Sequence, residues 1–198
     1  LEALISAAER RALLNGEDET TLRISDLMHV APAITGKVEL VYEGEQEGAQ
    51  NVALSLIGQA VRATFTRYFP DPSDKEEGRP HYGDVLDWFS QGGSVDLDQD
   101  MSDAAYADVL EAIDGLASLV TEHTTPDTDD ERRMMMEFVL EALHQHSLLG
   151  KEITEGAQSY DDIMGSMLSS LGDGGMPDDF DDEDFDDDDD DDPLSRYR

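Results

Sequence analysis

The chain has 198 residues, of which 38% are hydrophobic, and this is enough for one helical domain, or two small ones, with a buried core. Its formal net charge of −35 makes nucleic acid an improbable partner, and the lack of cysteine excludes disulfides, thiolate zinc sites and cysteine nucleophiles. No run approaches the roughly 18 consecutive apolar residues that cross a bilayer, and the first residues lack a signal-peptide pattern. We therefore predict a cytoplasmic protein that does not enter a membrane.

The acidic residues form a tail and an acidic body. Between Asp173 and Asp192 there are 14 acidic residues and few apolar ones, so we predict a disordered Asp-rich tail over 173–198. The rest of the chain has 34 acidic residues against 11 lysines and arginines, a charge of −23. Salt screens the repulsion within such a surface, as in the proteins of halophiles. We predict that the stability of the body rises with salt into the molar range.

The N-terminal region, 1–69, is predicted to be helical. Residues 1–15 form an amphipathic helix, and because the helical pattern is already running at Leu1, we interpret that residue as a truncation point. Ser25 is predicted to be the N-cap of a short helix that Pro32 stops. Two sets of apolar residues at helical spacing define the longer helices: Leu1, Leu4, Ile5, Ala8, Ala12 and Leu13, with Glu9, Arg10 and Arg11 largely opposite, and Val52, Leu56, Ala60, Val61, Phe65, Tyr68 and Phe69.

A segment rich in proline, glycine and charge is predicted to be a linker over 70–80, and we place a domain boundary there. It separates the first region from a helical C-terminal extension over 81–172. The extension begins with an aromatic helix around Trp88 that Gly92 and Gly93 end.

The remaining extension is predicted to contain two longer helices packed antiparallel. One starts at Ser102 or Asp103 and keeps its apolar period through Val120. The other begins with the capping-box spacing of Thr128 and Glu131 and stops at Gly150. A last amphipathic helix precedes Gly172, and its apolar residues are Tyr160, Ile163, Met164, Met167 and Leu168. The strand signals are few, the best being Val38–Tyr42, so the predicted fold class is all-α.

Two short motifs resemble ligand sites but lack residues that such sites need. Gly36 and Lys37 suggest a phosphate-binding loop, but Ala31 and Val38 stand where such a loop needs a glycine and a hydroxyl residue, which favours a simple turn. Three acidic residues have the spacing with which a calcium loop begins, but the glycine and bidentate glutamate that the loop needs are replaced. A solvated acidic loop is therefore favoured for Asp96, Asp98 and Asp100, with Met101 and Ala107 at the replaced positions.

The histidines do not predict a site. His144 and His146 are two residues apart, so on a helix their rings point to different faces. His123 and His29 are isolated in the sequence, and structural roles are favoured for all five histidines. The methionine run 134–136 is more typical of core packing than of a cofactor site.

Two further features remain open in the sequence. Arginines on lid helices can reach nucleotide phosphates, which makes Arg10 and Arg11 of interest, although a surface salt bridge is the commoner role. Phe180 and Phe185 lie within the acidic tail, which is either a short interaction motif or a solubilising tail that holds cations loosely. No catalytic, cofactor-binding or metal-binding residue is predicted.

One local series resembles the C-terminal part of a bacterial AAA+ ATPase family described as magnesium-chelatase-like, or as sigma-54-interacting in some genomes. The likeness covers most of residues 1 to 170, with its most specific part at Thr35 to Gly48, and the acidic tail lies outside it. The matching runs are Glu9 to Ala12, Arg23 to Leu27, Pro32 to Gly48, Leu56 to Gly58, Phe65, Tyr68 to Pro70, Asp87 to Phe89, Ile113 to Leu116 and Met136 to Leu140.

The resemblance implies an ATPase with an N-terminal nucleotide-binding core and then a helical lid, assembled as a ring that uses ATP and Mg²⁺. This chain would be the lid together with a C-terminal extension, so that the phosphate-binding loop, the acidic magnesium site and the arginine finger would all lie upstream of Leu1. A von Willebrand A-domain partner is also implied. No catalytic residue is carried over, because none of those motifs has a matching position here.

These observations lead to two hypotheses. The first is a lid and oligomerisation region that couples ATP binding and hydrolysis in an upstream core to remodelling or metal insertion. The alternative is an autonomous acidic module that binds a basic protein or buffers cations and has no enzymatic activity. A third interpretation, a metal-dependent enzyme that uses the Asp96 cluster, predicts tight stoichiometric binding of calcium or zinc.

Overall fold

A computed structural model describes residues 1–37, 39, 48–154 and 156–163, and most of this part of the chain is helical. The strand predicted at Val38–Tyr42 falls outside the described residues, apart from Glu39, and so does the tail over 173–198. The helices are α1 Glu2–Asn15, α2 Ala31–Thr35, α3 Ala49–Phe65, α4 Gly83–Ser90, α5 Asp103–Glu111, α6 Leu116–His123 and α7 Asp129–Gln145, with 3₁₀ helices at Ile24–Val30 and Arg79–Tyr82. The strands are β1 Val95–Asp98, β2 Gly150–Thr154 and β3 Ala157–Asp161.

The described residues are mostly helical, as predicted, but a small antiparallel sheet in the order β1-β3-β2 is absent from the all-α prediction. Tyr160, expected in a last helix, lies in β3 opposite Val95 on one side and Lys151 on the other. Its segment alternates between buried and partly exposed residues, which is the period of a strand. Gly150, expected to stop a helix, is the first residue of β2. The described fold is therefore predominantly helical with one three-stranded sheet.

The helix predicted from Ser102 to Val120 is two helices, α5 and α6. Gly115 separates them with a φ of 78°, a left-handed conformation that glycine adopts without strain. A Cβ atom at this position would lie 2.6 Å from the Cβ of Asp84, so the close approach also requires glycine. The apolar period continues across the break because both helices contribute to one core, and periodicity alone did not reveal the break.

One predicted helix end is confirmed in part and two are wrong. Thr128 accepts a hydrogen bond from the N–H of Glu131 at 3.1 Å, as predicted, but the Glu131 carboxylate accepts from Asp127 instead of completing a capping box. Pro32 does not stop a helix, since it lies in the first turn of α2, where a missing N–H costs little. Ser25 lies inside the first 3₁₀ helix and is not its N-cap.

The apolar core surrounds α7 and extends to both sides of the predicted linker. Phe65 from α3 stacks on Phe69 with ring centroids 4.8 Å apart and meets the edge of Phe138 from α7 at 5.4 Å. Tyr82 is buried in the same cluster, and its hydroxyl donates to the backbone oxygen of Pro70. One continuous core therefore joins the regions that lie on either side of 70–80 in the sequence. Among the described helices, none has the length and apolar character needed to cross a membrane.

Candidate functional site

The most unusual surface of the described residues belongs to α1. The helix buries only Ala8, Arg11 and Ala12, because a single narrow side of it contacts the rest of the fold. Apart from Leu4, which is partly buried, the larger apolar side chains on the helix and at Leu1 just before it are exposed. We call the exposed set the α1 apolar surface: Leu1 (83% exposed), Ile5 (42%), Leu13 (81%) and Leu14 (59%). The predicted helix is thus confirmed, but the prediction that Leu13 faces inward and Arg11 outward is wrong.

A buried ion pair attaches α1 to the fold. Arg11, only 1% exposed, donates to both carboxylate oxygens of Asp26, at 2.7 and 3.3 Å, and to the backbone oxygen of Thr21 at 2.8 Å. The same carboxylate accepts the N–H of Arg23 at 2.8 Å. The apolar period of α1 alone predicts that Arg11 is exposed. Its partner Asp26 lies fifteen residues later, in another element, so the pattern of one helix does not reveal the buried pair.

Exposed polar contacts complete the attachment. Arg10 pairs with the carboxylate of Asp100, and the side chain of Asn15 donates to the Asp100 backbone oxygen at 2.8 Å. Asp100 is therefore engaged with α1, while Asp96 and Asp98 lie on the exposed face of β1. Asp98 accepts the N–H of Asp100 at 2.7 Å, which fixes the turn after the strand. The carboxylates of Asp98 and Asp100 are therefore used in the turn and in the α1 attachment.

A second buried group, Glu137 on α7, holds the start of the first 3₁₀ helix. Its two carboxylate oxygens accept the backbone N–H groups of Ile24 and Ser25, each at 2.8 Å, and the hydroxyl of Tyr106 donates to it at 2.7 Å. Burial, which exceeds the opposing effect of these hydrogen bonds, raises the pKa of Glu137 above its ordinary value of 4.5. Arg23 lies over the ring of Tyr106, 4.2 Å from the centroid, and connects this group to the α1 attachment.

One turn further along α7, Glu141 has a different environment. Its carboxylate accepts hydrogen bonds from Lys151 at 2.6 Å, from the Tyr160 hydroxyl at 2.7 Å and from the side chain of Gln145 at 2.9 Å. Burial by itself would raise the pKa of Glu141, but the Lys151 charge and the three hydrogen bonds outweigh it and the pKa is lowered. Two adjacent buried carboxyls on one helix face thus shift in opposite directions, because only one has a cation in contact.

A serine, a histidine and an aspartate meet near the end of α7 but do not form a nucleophilic triad. Ser73 Oγ donates to Asp71 at 2.6 Å and lies 3.1 Å from His146 Nδ1. In a triad the imidazole stands between the hydroxyl and the carboxylate, whereas here the hydroxyl stands in the middle. Asp71 also accepts the Ser73 N–H at 2.8 Å, which is a local turn. Burial, followed by the charge of Arg62, lowers the pKa of His146, so this imidazole is held neutral in a structural contact.

The other residues singled out in the sequence have separate surroundings. His144 contacts the backbone oxygen of Leu149 while His146 contacts Ser73, which confirms that the pair does not converge. Gly36 ends α2 and Lys37 is exposed. Met136 is fully buried in the core. Phe180 and Phe185 lie outside the described residues.

His123 is not isolated, which corrects the sequence interpretation. The fold brings it beside His81 and Glu122, with ligand atoms of the three side chains within 4.8 Å of one another. His81 lies in the second 3₁₀ helix and the other two end α6, so only tertiary packing joins them.

No family model, no curated protein and no solved structure matches the chain.

Proposed function

We propose that this chain is the lid and C-terminal region of a magnesium-chelatase-like AAA+ ATPase, where it couples nucleotide state in a core upstream to contacts between subunits. The single observation that carries the proposal is α1, a helix fixed to the fold on one narrow side with large apolar side chains exposed elsewhere. A lid needs such a helix, because one part must be attached to the body while another contacts a nucleotide-binding unit.

The energetics favour a partner on the α1 apolar surface. Covering a leucine side chain contributes roughly 1.5 to 3 kcal/mol relative to leaving it in water. Leu13 and Leu14 are adjacent and more than half exposed, so covering them by another folded unit would stabilise a contact at this end of α1. The remodelling or metal-insertion task and the von Willebrand A-domain partner belong to the same proposal and rest on the resemblance.

Two of the matching runs in the resemblance also contact each other. Arg11 belongs to the Glu9 to Ala12 run and Asp26 to the Arg23 to Leu27 run, and they form the buried pair that attaches α1. Since Arg11 is committed to that pair, Arg10 is the arginine of α1 that a nucleotide phosphate can reach. In a closed lid, the phosphate would replace Asp100 as the partner of Arg10, since guanidinium groups bind phosphate in a bidentate manner.

The first test is the coding sequence upstream of Leu1. An in-frame core that contains a glycine-lysine-threonine or glycine-lysine-serine loop is expected. A start codon at this point would contradict the proposal and favour the autonomous acidic module.

The second test uses that longer protein with Leu13→Ser and Leu14→Ser together. If each leucine contributes about 1.5 kcal/mol, subunit association should weaken roughly a hundredfold, with a matching loss of ATPase activity and an unchanged melting temperature of the dissociated subunit. Ile153→Ser is the matched control, because Ile153 is 52% exposed on β2 and outside the α1 apolar surface. Equal assembly of both variants by analytical ultracentrifugation would remove α1 from the proposed mechanism.

A further inference from the structure

We propose that His81, Glu122 and His123 form a binding site for a divalent transition metal of the zinc type. The three side chains come from two elements, the second 3₁₀ helix and the C-terminal end of α6, and one ligand atom from each lies within 4.8 Å of the others. The two imidazole rings are 5.0 Å apart between centroids at an angle of 73°, so they are not stacked face to face.

His123 carries the second observation. Its Nε2 atom is enclosed by the fold and has no hydrogen-bond partner among the described residues. Enclosed polar atoms without a partner are uncommon and call for an ion or a water molecule in the native protein. The ring is also held in place by the edge contact with Phe69, with centroids 6.0 Å apart. One ligand of the site is therefore positioned by the core, whereas His81 and Glu122 are exposed and can adjust.

The donor set determines which metal fits. Two imidazoles and one carboxylate are typical of zinc sites that keep a fourth position open for water, and calcium prefers oxygen ligands alone. Ligands around a tetrahedral zinc ion lie about 3.3 Å from one another, so the exposed side chains must move inward by a small rotation.

The surroundings favour a cation with an accessible side. His123 is the last residue of α6, and the C-terminal end of a helix carries partial negative charge. Glu122 and His123 also line a surface cavity of about 500 Å³ together with Tyr68, Glu131 and Arg67. Arg67 supplies a positive charge in this cavity for an anionic ligand beside the metal.

The test is calorimetric titration of the full chain with zinc chloride near neutral pH, compared with His81→Asn and Glu122→Gln. Both residues are exposed, so the variants should fold normally, as circular dichroism would verify. We expect one tight equivalent in the parent chain that weakens by roughly tenfold or more in each variant. The acidic residues elsewhere should give loose binding that is unchanged. His29→Asn is the matched control, since His29 is an exposed histidine outside the cluster.

A spectroscopic readout makes the result independent of affinity. Cobalt(II) bound by two imidazoles and a carboxylate in a tetrahedral site should give intense visible absorption. Added zinc should displace the cobalt and remove this absorption, whereas added calcium should not. Identical zinc binding and identical cobalt spectra in the parent chain and in His81→Asn would overturn the site. Loss of the spectrum in the cluster variants, with His29→Asn unaffected, would support it.

Discussion

The N-terminal helix α1 and the α7 core are held by different forces. Ala8 and Ala12 are the only apolar side chains that α1 buries, and its attachments are ion pairs and hydrogen bonds, of which Arg11 with Asp26 is the most enclosed. Around α7, in contrast, aromatic and aliphatic side chains from α3, α4, α5, α6 and the sheet form one cluster. The first region lacks the apolar burial that makes the second cohesive.

The attachment of α1 therefore depends on specific geometry, and losing one partner of its buried ion pair destabilises it strongly. Apolar packing tolerates a partner of similar shape, whereas a buried carboxylate needs its own donor. Perturbations of charge should therefore act first on α1, and perturbations of volume should act on the whole fold.

The largest effect is expected from Phe65→Ala, which removes a fully buried ring that contacts Phe69, Tyr82 and Phe138. The free energy of unfolding should fall by about 3 to 5 kcal/mol, measured by urea denaturation. Tyr68→Ala, at a half-exposed neighbouring ring, is the control and should cost much less. A small loss in Phe65→Ala would mean that the core is less cohesive than described.

A comparable but more local effect is expected from Arg11→Met. The buried Asp26 carboxylate would lose its guanidinium, at a cost of about 3 kcal/mol, and hydrogen exchange should speed up in α1 before the core. Arg10→Met, which removes only the exposed pair with Asp100, should change exchange far less.

The double variant Arg11→Met with Asp26→Leu tests the cause of that loss. If the cost comes from an unpaired buried charge, replacing both partners by apolar residues should restore much of the stability. A double variant as unstable as Arg11→Met alone would show that the loss comes from the other contacts of Asp26, such as the Arg23 N–H, and not from an unpaired charge.

A smaller effect concerns pH and separates the two carboxyls of α7. The pKa of Glu137 is raised in the fold, so its contribution to stability is greatest when it is protonated and falls as the pH rises through the window above 4.5. The pKa of Glu141 is lowered, so its contribution is present above 4.5 and is lost as the pH falls.

The variants Glu137→Gln and Glu141→Gln should therefore diverge when melting temperature is followed against pH. Relative to the parent chain, the melting temperature of Glu137→Gln should improve as the pH rises, and that of Glu141→Gln should improve as the pH falls. Both lose hydrogen bonds at every pH, so the slopes carry the information and not the absolute temperatures. Parallel slopes for the two variants would contradict the opposite pKa shifts.

The smallest effect per residue is the response to salt. Molar potassium chloride should raise the melting temperature, because it screens the repulsion among the 34 acidic residues of the body. The salt should also reduce the difference in melting temperature between the parent chain and Arg10→Met, because an exposed ion pair is screened. The loss of melting temperature in Arg11→Met should remain, because that pair is buried. A flat or falling melting temperature would refute the prediction for the body.

The sequence predicted α1, α3, α4 and α7 from their apolar periods, although α7 ends at Gln145 and not at Gly150. It missed the sheet because β1, β2 and β3 are four or five residues long and rich in polar residues, so that their alternation is too brief to recognise. It merged α5 and α6 because the buried positions keep their period across Gly115.

The candidate sites were less predictable than the helices. His81 and His123 are far apart in the chain, and their proximity depends on how the 3₁₀ helix at Arg79–Tyr82 lies beside the end of α6. Arg11 could not be recognised as buried, because its carboxylate partner belongs to another element. Such pairs require tertiary packing, and single-element patterns do not contain it.

The 70–80 segment, whose composition is that of a spacer, is folded back on itself. Gly78 packs so closely on Asp71 that a Cβ atom there would lie 1.9 Å from the Asp71 backbone oxygen, and Pro72 is buried. A chain cut by a protease within this segment should therefore remain a single noncovalent complex in native electrophoresis. Genetic fusions or domain swaps made at this position would divide one folding unit.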